Sequence, residues 1–230
     1  MRFSGFQKLT LLDYPGLVAC TLFTQGCNFR CPFCHNAPLV LGPPGDAFSD
    51  RDILSYLEKR KGLLEGVVVS GGEPLLHAGL EPFLCQVKDL GYKIKLDTNG
   101  TQPEYLERLI CRGLVDKVAM DIKNSPALYS KTSGIAAPDM ANVSRSKDLL
   151  LQGSVEYEFR TTVVKGLHTK NSLYDASLWI RGAKEYYLQG FVDHGQLIDP
   201  TGLGAFSEEE MQQLLLSVKS VIPSAAIRGL

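Results

Sequence analysis

The chain has 230 residues, 44% of them hydrophobic and 21% charged, and a formal net charge of −1. That length allows one domain with a sizeable core, and the near-neutral balance offers no electrostatic ground for nucleic acid or a membrane surface as partners. Residues 1–8 lack the apolar stretch of a secretory signal and no apolar run approaches the ~20 residues of a membrane span. The expected setting is therefore the reducing cytoplasm, where six cysteines stay as thiols or ligands rather than disulfides.

Strand-like and helix-like patterns alternate along the whole length. The first strand is predicted over 17–24, a run of apolar and β-branched residues. Asp50 then leads the helical spacing Ile53, Leu54, Leu57 that closes at Gly62, and a second strand follows over 66–70. Leu80, Phe83, Leu84 and Val87 make a helix closing at Gly91, before a strand over 93–97. Pro103 opens another helix (Tyr105, Leu106, Leu109, Ile110) that ends at Gly113, before a strand over 117–122. Helical Leu149, Leu150 and Leu151 stop at Gly153, strands are predicted over 156–164 and 186–192, and Ser207 caps a last helix reaching Val221. The stretch Gly42-Pro43-Pro44-Gly45 reads as a loop, because the alternation continues across it. Six βα units in series imply a parallel sheet with right-handed crossovers in a single domain spanning 1–230. The pattern leaves two closures open: a doubly wound sheet, which needs a switch in strand order, and a curved, incompletely closed TIM-like barrel, which needs none.

Polar motifs fall just after the predicted strands. Following the first is Gly26-Cys27-Asn28-Phe29-Arg30-Cys31-Pro32-Phe33-Cys34-His35-Asn36, with three cysteines at Cys-x3-Cys-x2-Cys spacing and no fourth nearby. A [4Fe–4S] cluster for electron transfer takes four thiolates; three would leave one iron open to a small molecule. A structural zinc site would show a second Cys or His pair at a distance, and His35 directly follows Cys34, where both side chains rarely turn toward one metal. Cys20, Cys85 and Cys111 sit in apolar or helical patterns and read as small hydrophobes. After the second strand come Ser70-Gly71-Gly72-Glu73-Pro74, where the glycines permit positive φ and close approach to a ligand, and carbonyls with Glu73 could accept from an ammonium. The third strand ends in Asp97-Thr98-Asn99-Gly100, which could equally be a locally capped turn. The fourth ends in Ala119-Met120-Asp121-Ile122-Lys123; alternation puts Asp121 and Lys123 on one inward face of a largely apolar barrel, calling for a polar ligand or for each other.

The cysteine spacing, followed one βα unit later by Gly71-Gly72-Glu73, resembles the radical S-adenosylmethionine (SAM) enzymes. Asp97-Thr98-Asn99-Gly100, Asp121-x-Lys123, Cys34-His35-Asn36 and Asp13-Tyr14-Pro15-Gly16 resemble in particular the glycyl-radical-enzyme activases. With Gly5-Phe6-Gln7-Lys8 and Phe23-Thr24-Gln25-Gly26, the chain is most similar to the activating proteins of anaerobic ribonucleoside-triphosphate reductase, from residue 5 to Ile227-Arg228-Gly229. This resemblance implies a partial (β/α)6 barrel and a radical SAM oxidoreductase. It implies one [4Fe–4S] cluster held by Cys27, Cys31 and Cys34, with SAM chelating the open iron; residues 37–65 hold no further cysteine for a second cluster. Reductive cleavage of SAM would give a 5′-deoxyadenosyl radical that makes a glycyl radical on a partner enzyme. A flavodoxin or ferredoxin would supply the electron.

The resemblance also implies a SAM site made of Phe33 beside the adenine, Gly71, Gly72 and Glu73 at the amino group, Asp97 and Thr98, Lys123 at the methionyl carboxylate, and Asp121 at the ribose or amino group. Arg160 would meet the SAM carboxylate, the partner's backbone, or Asp121 or Glu73 as a salt bridge; Asp13 would meet the partner's glycyl loop. Where activases of the pyruvate formate-lyase type carry a histidine near the end of the sixth strand, this chain reads Leu188-Gln189-Gly190-Phe191-Val192, with His194 further along. Competing readings are a pyruvate formate-lyase type activase, a small-molecule radical SAM enzyme such as a carboxy-deazaguanine synthase, and a zinc or iron carrier or scaffold without catalysis.

Overall fold

The computed structural model describes residues 1–43, 47–193 and 195–229. The core is six parallel strands: β3 (Ala19–Thr24), β5 (Gly66–Gly71), β6 (Lys93–Thr98), β7 (Lys117–Asp121), β8 (Glu156–Val163) and β9 (Tyr186–Gly190). They were anticipated to within a few residues. The sequence pattern missed the elements that flank them. At one edge β2 (Gly5–Thr10) pairs antiparallel with β3, and at the other β10 (Ala226–Arg228) pairs parallel with β9. A small separate sheet joins β1 (Arg2–Phe3) to β4 (Phe48–Ser49). The strands β1, β4 and β10 have too few residues for alternation to stand out, and β2 is a largely exposed edge strand whose residues do not alternate between buried and exposed.

The strands lie in the order β10-β9-β8-β7-β6-β5-β3-β2. The core strands thus follow chain order without reversal, which excludes the doubly wound closure and gives a partial barrel, open along the seam between β2 and β10. Every loop after a core strand then faces one mouth. The part of the loop 42–45 beyond Pro43 lies outside the described residues.

Helices pack against the outer face: α2 (Asp50–Lys59), α3 (Leu80–Asp89), α4 (Pro103–Cys111), α6 (Met140–Leu151), α7 (Lys170–Trp179) and α8 (Glu208–Lys219), with one-turn α1 (Ala37–Leu41) and α5 (Tyr129–Ser133) near the mouth. Capping boxes start three of them, at Ser49 with Asp52, Thr169 with Ser172, and Ser207 with Glu210. Among the described residues no helix is long and apolar enough to cross a membrane.

Alternation along the strands divides two environments. Outward residues such as Leu22, Val67, Val69, Ile94, Leu96, Val118, Met120, Phe159 and Leu188 join the helices in the main core. Inward residues are different: only Tyr14, Ala19 and Val68 form a small apolar cluster, while Lys95, Asp97, Lys117, Asp121, Glu158 and Arg160 meet one another across neighbouring strands. The expectation of a largely apolar barrel is therefore corrected. The interior is a chain of ion pairs, because β6, β7 and β8 each place two charges on alternate, inward positions.

Candidate active site

A cavity of about 400 Å³ opens at the C-terminal ends of the core strands. Its walls include Cys27, Cys31, Phe33, Cys34, Gly71, Gly72, Glu73, Asp97, Thr98, Asp121, Lys123 and Arg160, so every residue expected at the site is brought together there. Asp13 reaches the same cavity from the β2–β3 connection and receives the Thr21 hydroxyl. His194 lies outside the described residues.

The cysteine loop is held by its surroundings more than by itself. The Gly26 amide donates to the Leu39 carbonyl, its carbonyl accepts from the Glu73 amide at 2.8 Å, and the Arg30 amide donates to Ser133 of α5. Asn36 Nδ2 donates to the Gly71 carbonyl at 3.0 Å. The two glycines after β5 are needed here for the chain's own backbone. A Cβ on Gly72 would fall on the Gly26 carbonyl oxygen, and one on Gly71, whose φ is +117°, would fall on Thr24 backbone.

The donor set fits an iron–sulfur cluster. Three thiols share one wall, and burial raises each above the ordinary thiol range, Cys31 to about 12, while the Lys123 ammonium opposes the rise. Such thiols are neutral when bare and lose protons only to a metal centre. Among the described residues no three His, Cys, Asp or Glu side chains converge as the ligands of a single ion do; thiolates around a cluster bind separate irons, so they need no such convergence. Cys27 Sγ also accepts from the Phe29 amide at 3.3 Å and lies 3.8 Å from Asn99 Nδ2, the sort of hydrogen bond that tunes a cluster's potential. Asn99 ties onward to Asn28, and Asn28 to Thr101. These amides went unassigned from sequence, although Asn28 and Asn99 stood inside the quoted motifs.

Glu73 is 1% exposed, and its carboxylate takes three hydrogen bonds: from Thr98 Oγ1 (2.8 Å), the Asn99 amide (2.7 Å) and the Leu75 amide (3.1 Å). Burial lifts its pKa to about 7 against the pull of those donors. It therefore locks the loop after β5 to the loop after β6. Asp97 is a strand residue rather than a turn capper, paired with Lys95 Nζ at 2.7 Å and Arg160 Nη1 at 3.2 Å. The local turn belongs to Asn99, whose Oδ1 accepts from the Thr101 amide.

Asp121 is gripped from both sides, by Lys123 Nζ at 2.9 Å and by Arg160 Nε and Nη2 at 3.1 and 3.0 Å. Of the alternatives for Arg160, the bridge to Asp121 forms and none is seen to Glu73 among the described contacts. The two cations hold the Asp121 carboxyl down at about 2 despite desolvation, and Asp121 in turn keeps Lys123 charged. The Lys123 ammonium stands 5.9 Å from the ring centre of buried Phe33. Beneath this wall the pairs continue: Lys95 and Lys117 reach Glu158 Oε1 and Oε2 at 3.9 and 3.3 Å, and Arg228 of β10 clasps Glu158 at 2.9 and 3.2 Å. Lys95 and Glu158 went unremarked from sequence, yet each sits two residues before a named site residue, where alternation sends it inward.

A profile described as the Radical SAM superfamily matches residues 21–139, more than half of the chain. A protein of Methanocaldococcus jannaschii named for glycyl-radical enzyme activation is 29% identical over 235 residues, covering 98% of this chain and 95% of its own. The pyruvate formate-lyase-activating enzyme of Listeria monocytogenes is 32% identical over 161 residues, covering 64% of each chain. Among solved structures, a radical SAM methyltransferase from Sphaerobacter thermophilus superposes with a TM-score of 0.75 over 96% of this chain and 68% of that one; at 15% identity this likeness speaks to the fold alone. The chain belongs to the radical SAM superfamily.

Proposed function

We propose that this protein is an activase: it holds one [4Fe–4S] cluster on Cys27, Cys31 and Cys34, binds SAM beside it, and generates a glycyl radical on a partner enzyme, with anaerobic ribonucleoside-triphosphate reductase favoured as that partner. The observation that carries the reading is that the three thiols, the Glu73 lock and the Asp121–Lys123–Arg160 charges line one cavity at the barrel mouth. The similarity to relatives named as activating enzymes supports the choice of reaction. Similarity to a pyruvate formate-lyase activator keeps that partner type in the test.

Bound and reduced, cluster and SAM together would supply a 5′-deoxyadenosyl radical able to take a hydrogen atom from a glycine Cα. The chain's own groups position it. Lys123 has three donors and spends one on Asp121, which leaves two for a carboxylate. Asp121 and Asp97, saturated by Arg160 and the lysines, orient those cations rather than meet the ligand alone. Glu73 keeps one lone pair beyond its three hydrogen bonds, and with the Gly71 and Gly72 carbonyls it offers acceptors for an ammonium. Phe33, itself buried, supplies an apolar surface for the adenine. Asp13, in the connection between β2 and β3, lines the same cavity and would meet a partner's glycine loop.

Anaerobically reconstituted protein should hold about four irons per chain and convert SAM to 5′-deoxyadenosine when reduced, and Cys31→Ala should lose both. Incubation with each candidate partner, read by electron paramagnetic resonance, should give a glycyl signal. SAM cleavage surviving in Cys31→Ala, or no glycyl signal with any such enzyme, would contradict the proposal.

A further inference from the structure

Beyond Asp121 the chain leaves the β7–β8 register, and side chains take over from the ladder. Thr161 Oγ1 donates to the Ile122 carbonyl at 2.6 Å, and His168 Nε2 donates to the Lys123 carbonyl at 2.8 Å. Asn124 Nδ2 donates to Thr132 Oγ1 at 2.9 Å and to the Leu167 carbonyl at 3.1 Å. Thr161, His168 and Asn124 are all buried, where a backbone group without a partner is costly. His168 is the titratable member of this set, and it has no part in the chemistry described above. It is 3% exposed and does not line the cavity. Both its ring nitrogens are committed. Nδ1 accepts from the Val164 amide at 3.0 Å, which places the proton on Nε2, the nitrogen that must donate to a carbonyl. The two contacts demand the same tautomer, and burial lowers the pKa below the usual histidine value, which favours the neutral ring. The imidazole is therefore a rigid spacer. It joins Lys123 to the turn 164–168, which the His168 amide closes on the Val164 carbonyl at 2.9 Å.

We infer that His168 is the positioning residue for Lys123: by holding the Lys123 carbonyl it fixes the direction in which that side chain leaves the backbone, and so aims the ammonium at the carboxylate of SAM. The inference rests on Lys123 meeting that carboxylate, as the proposed function has it. Asp121, at 2.9 Å from Nζ, fixes where the ammonium ends. It does not fix the backbone at the other end of a flexible four-carbon stem. That backbone lies past the last β7–β8 pair, so the sheet does not hold it either. His168 stands 45 residues further along the chain, in the connection between β8 and α7, and ties Lys123 to a separate part of the barrel mouth. Where a ladder would have set the register, one imidazole does.

The test is equilibrium binding to the cluster-loaded protein with the cluster oxidised, so that no turnover intervenes. The probes are S-adenosylhomocysteine, which carries the amino-acid carboxylate, and 5′-methylthioadenosine, which lacks it. His168→Asn keeps an acceptor for the Val164 amide near the Nδ1 position but is too short to reach Lys123; His168→Gln puts an amide N–H₂ near the Nε2 position and keeps that donor. His168→Asn should bind S-adenosylhomocysteine about 3- to 10-fold more weakly than wild type, the span of one or two neutral hydrogen bonds. Its binding of 5′-methylthioadenosine should be unchanged, and His168→Gln should recover most of the loss. A role confined to holding the fold would separate neither the two probes nor the two variants. Iron content equal to wild type shows that the cysteine loop is intact. Should His168→Asn fail that check, His168→Leu, which fills the buried volume without a donor, takes its place. Loss of iron in both would assign His168 to the fold as a whole and overturn the positioning role. Equal weakening of both probes, undiminished binding of S-adenosylhomocysteine, or a loss that His168→Gln leaves unrepaired would overturn it too. A loss specific to the carboxylate probe, with no glycyl signal on any partner, would uphold His168 while sinking the activase reading. Wild-type protein that binds both probes alike would have no carboxylate site, and the inference and the SAM site would fall together.

Discussion

Glu73→Gln sets two effects of known sign against each other. In the folded protein the Glu73 pKa stands at about 7, raised from 4.5 by burial. Between those values the folded chain keeps a proton that the unfolded chain has released, so stability falls as pH rises through this window. At about 1.4 kcal/mol per pH unit the penalty reaches roughly 3 kcal/mol by pH 8. Glutamine cannot ionise and escapes this penalty. Its amide, however, places an N–H₂ where a carboxylate oxygen stood. The Thr98 hydroxyl can turn to accept from it, but the Leu75 and Asn99 amides donate to opposite oxygens, so one of them loses its acceptor. An orphaned buried donor costs about 1–3 kcal/mol at every pH. The variant should therefore be less stable than wild type at pH 5 and equal or more stable at pH 8, with the difference moving by roughly 3 kcal/mol. Urea unfolding of both proteins under anaerobic conditions across pH 5–8 measures it, and other titrating groups cancel in the difference. A stability difference flat to within about 1 kcal/mol over that range would refute the buried, raised carboxyl.

Further outcomes follow from the same geometry. Gly72→Ala drives a methyl into the Gly26 carbonyl; it should displace the cysteine loop, reduce bound iron per chain and cost about 1–3 kcal/mol, and full iron retention would show that the two loops are not packed as described. Arg160→Met leaves Asp97 to Lys95 and Asp121 to Lys123, so it should cost about 3 kcal/mol, the low end for breaking a buried pair; a urea-derived loss below ~1 kcal/mol would mean the lysines fully replace it. For Asp121 the sign is the usual one for a carboxylate. Its pKa is depressed from 3.8 to about 2, so its contribution is complete above pH ~4 and is lost as pH falls toward 2. Discounted for its partly open side chain, this amounts to about 1–2 kcal/mol. The stability gap between wild type and Asp121→Asn should narrow by that amount in acid unfolding between those pH values.

The cluster loop and the six core strands could be read from sequence because each is marked by local spacing: Cys27, Cys31 and Cys34 within eight residues, and runs such as Val67-Val68-Val69 buried on both faces. Spacing alone could not choose the closure, since strand order is a long-range property; the family resemblance implied the partial barrel, and the pairing of β3 with β5 and of each later strand with its predecessor bears it out. Gly71 and Gly72 were recognised as a close-approach turn, but what approaches is the backbone of the cysteine loop. Sequence spacing shows that room is required there; only the packing shows what fills it.

The polar interior has the same origin and a wider consequence. Alternation on β7 foretold that Asp121 faces inward with Lys123, yet the same rule applied to β6 and β8 also sends Lys95 and Glu158 inward, and to β8 and β9 it sends Thr162 and Gln189. Read one strand at a time, these look like isolated polar residues on otherwise apolar strands. Read across the register they form two layers. The lower is a connected set of ion pairs reaching from Asp121 through Arg160, Asp97, Lys95 and Glu158 to Arg228 on the last strand, with Lys123 bound to it from one pleat above. The upper, toward the mouth, holds Lys123 together with Thr162 and Gln189, whose side chains have no hydrogen-bond partner among the described residues. Buried charges that are mutually satisfied give a rigid floor, because moving any one of them uncovers its neighbour. A rigid floor lets the few unspent groups above it hold a fixed geometry toward a ligand.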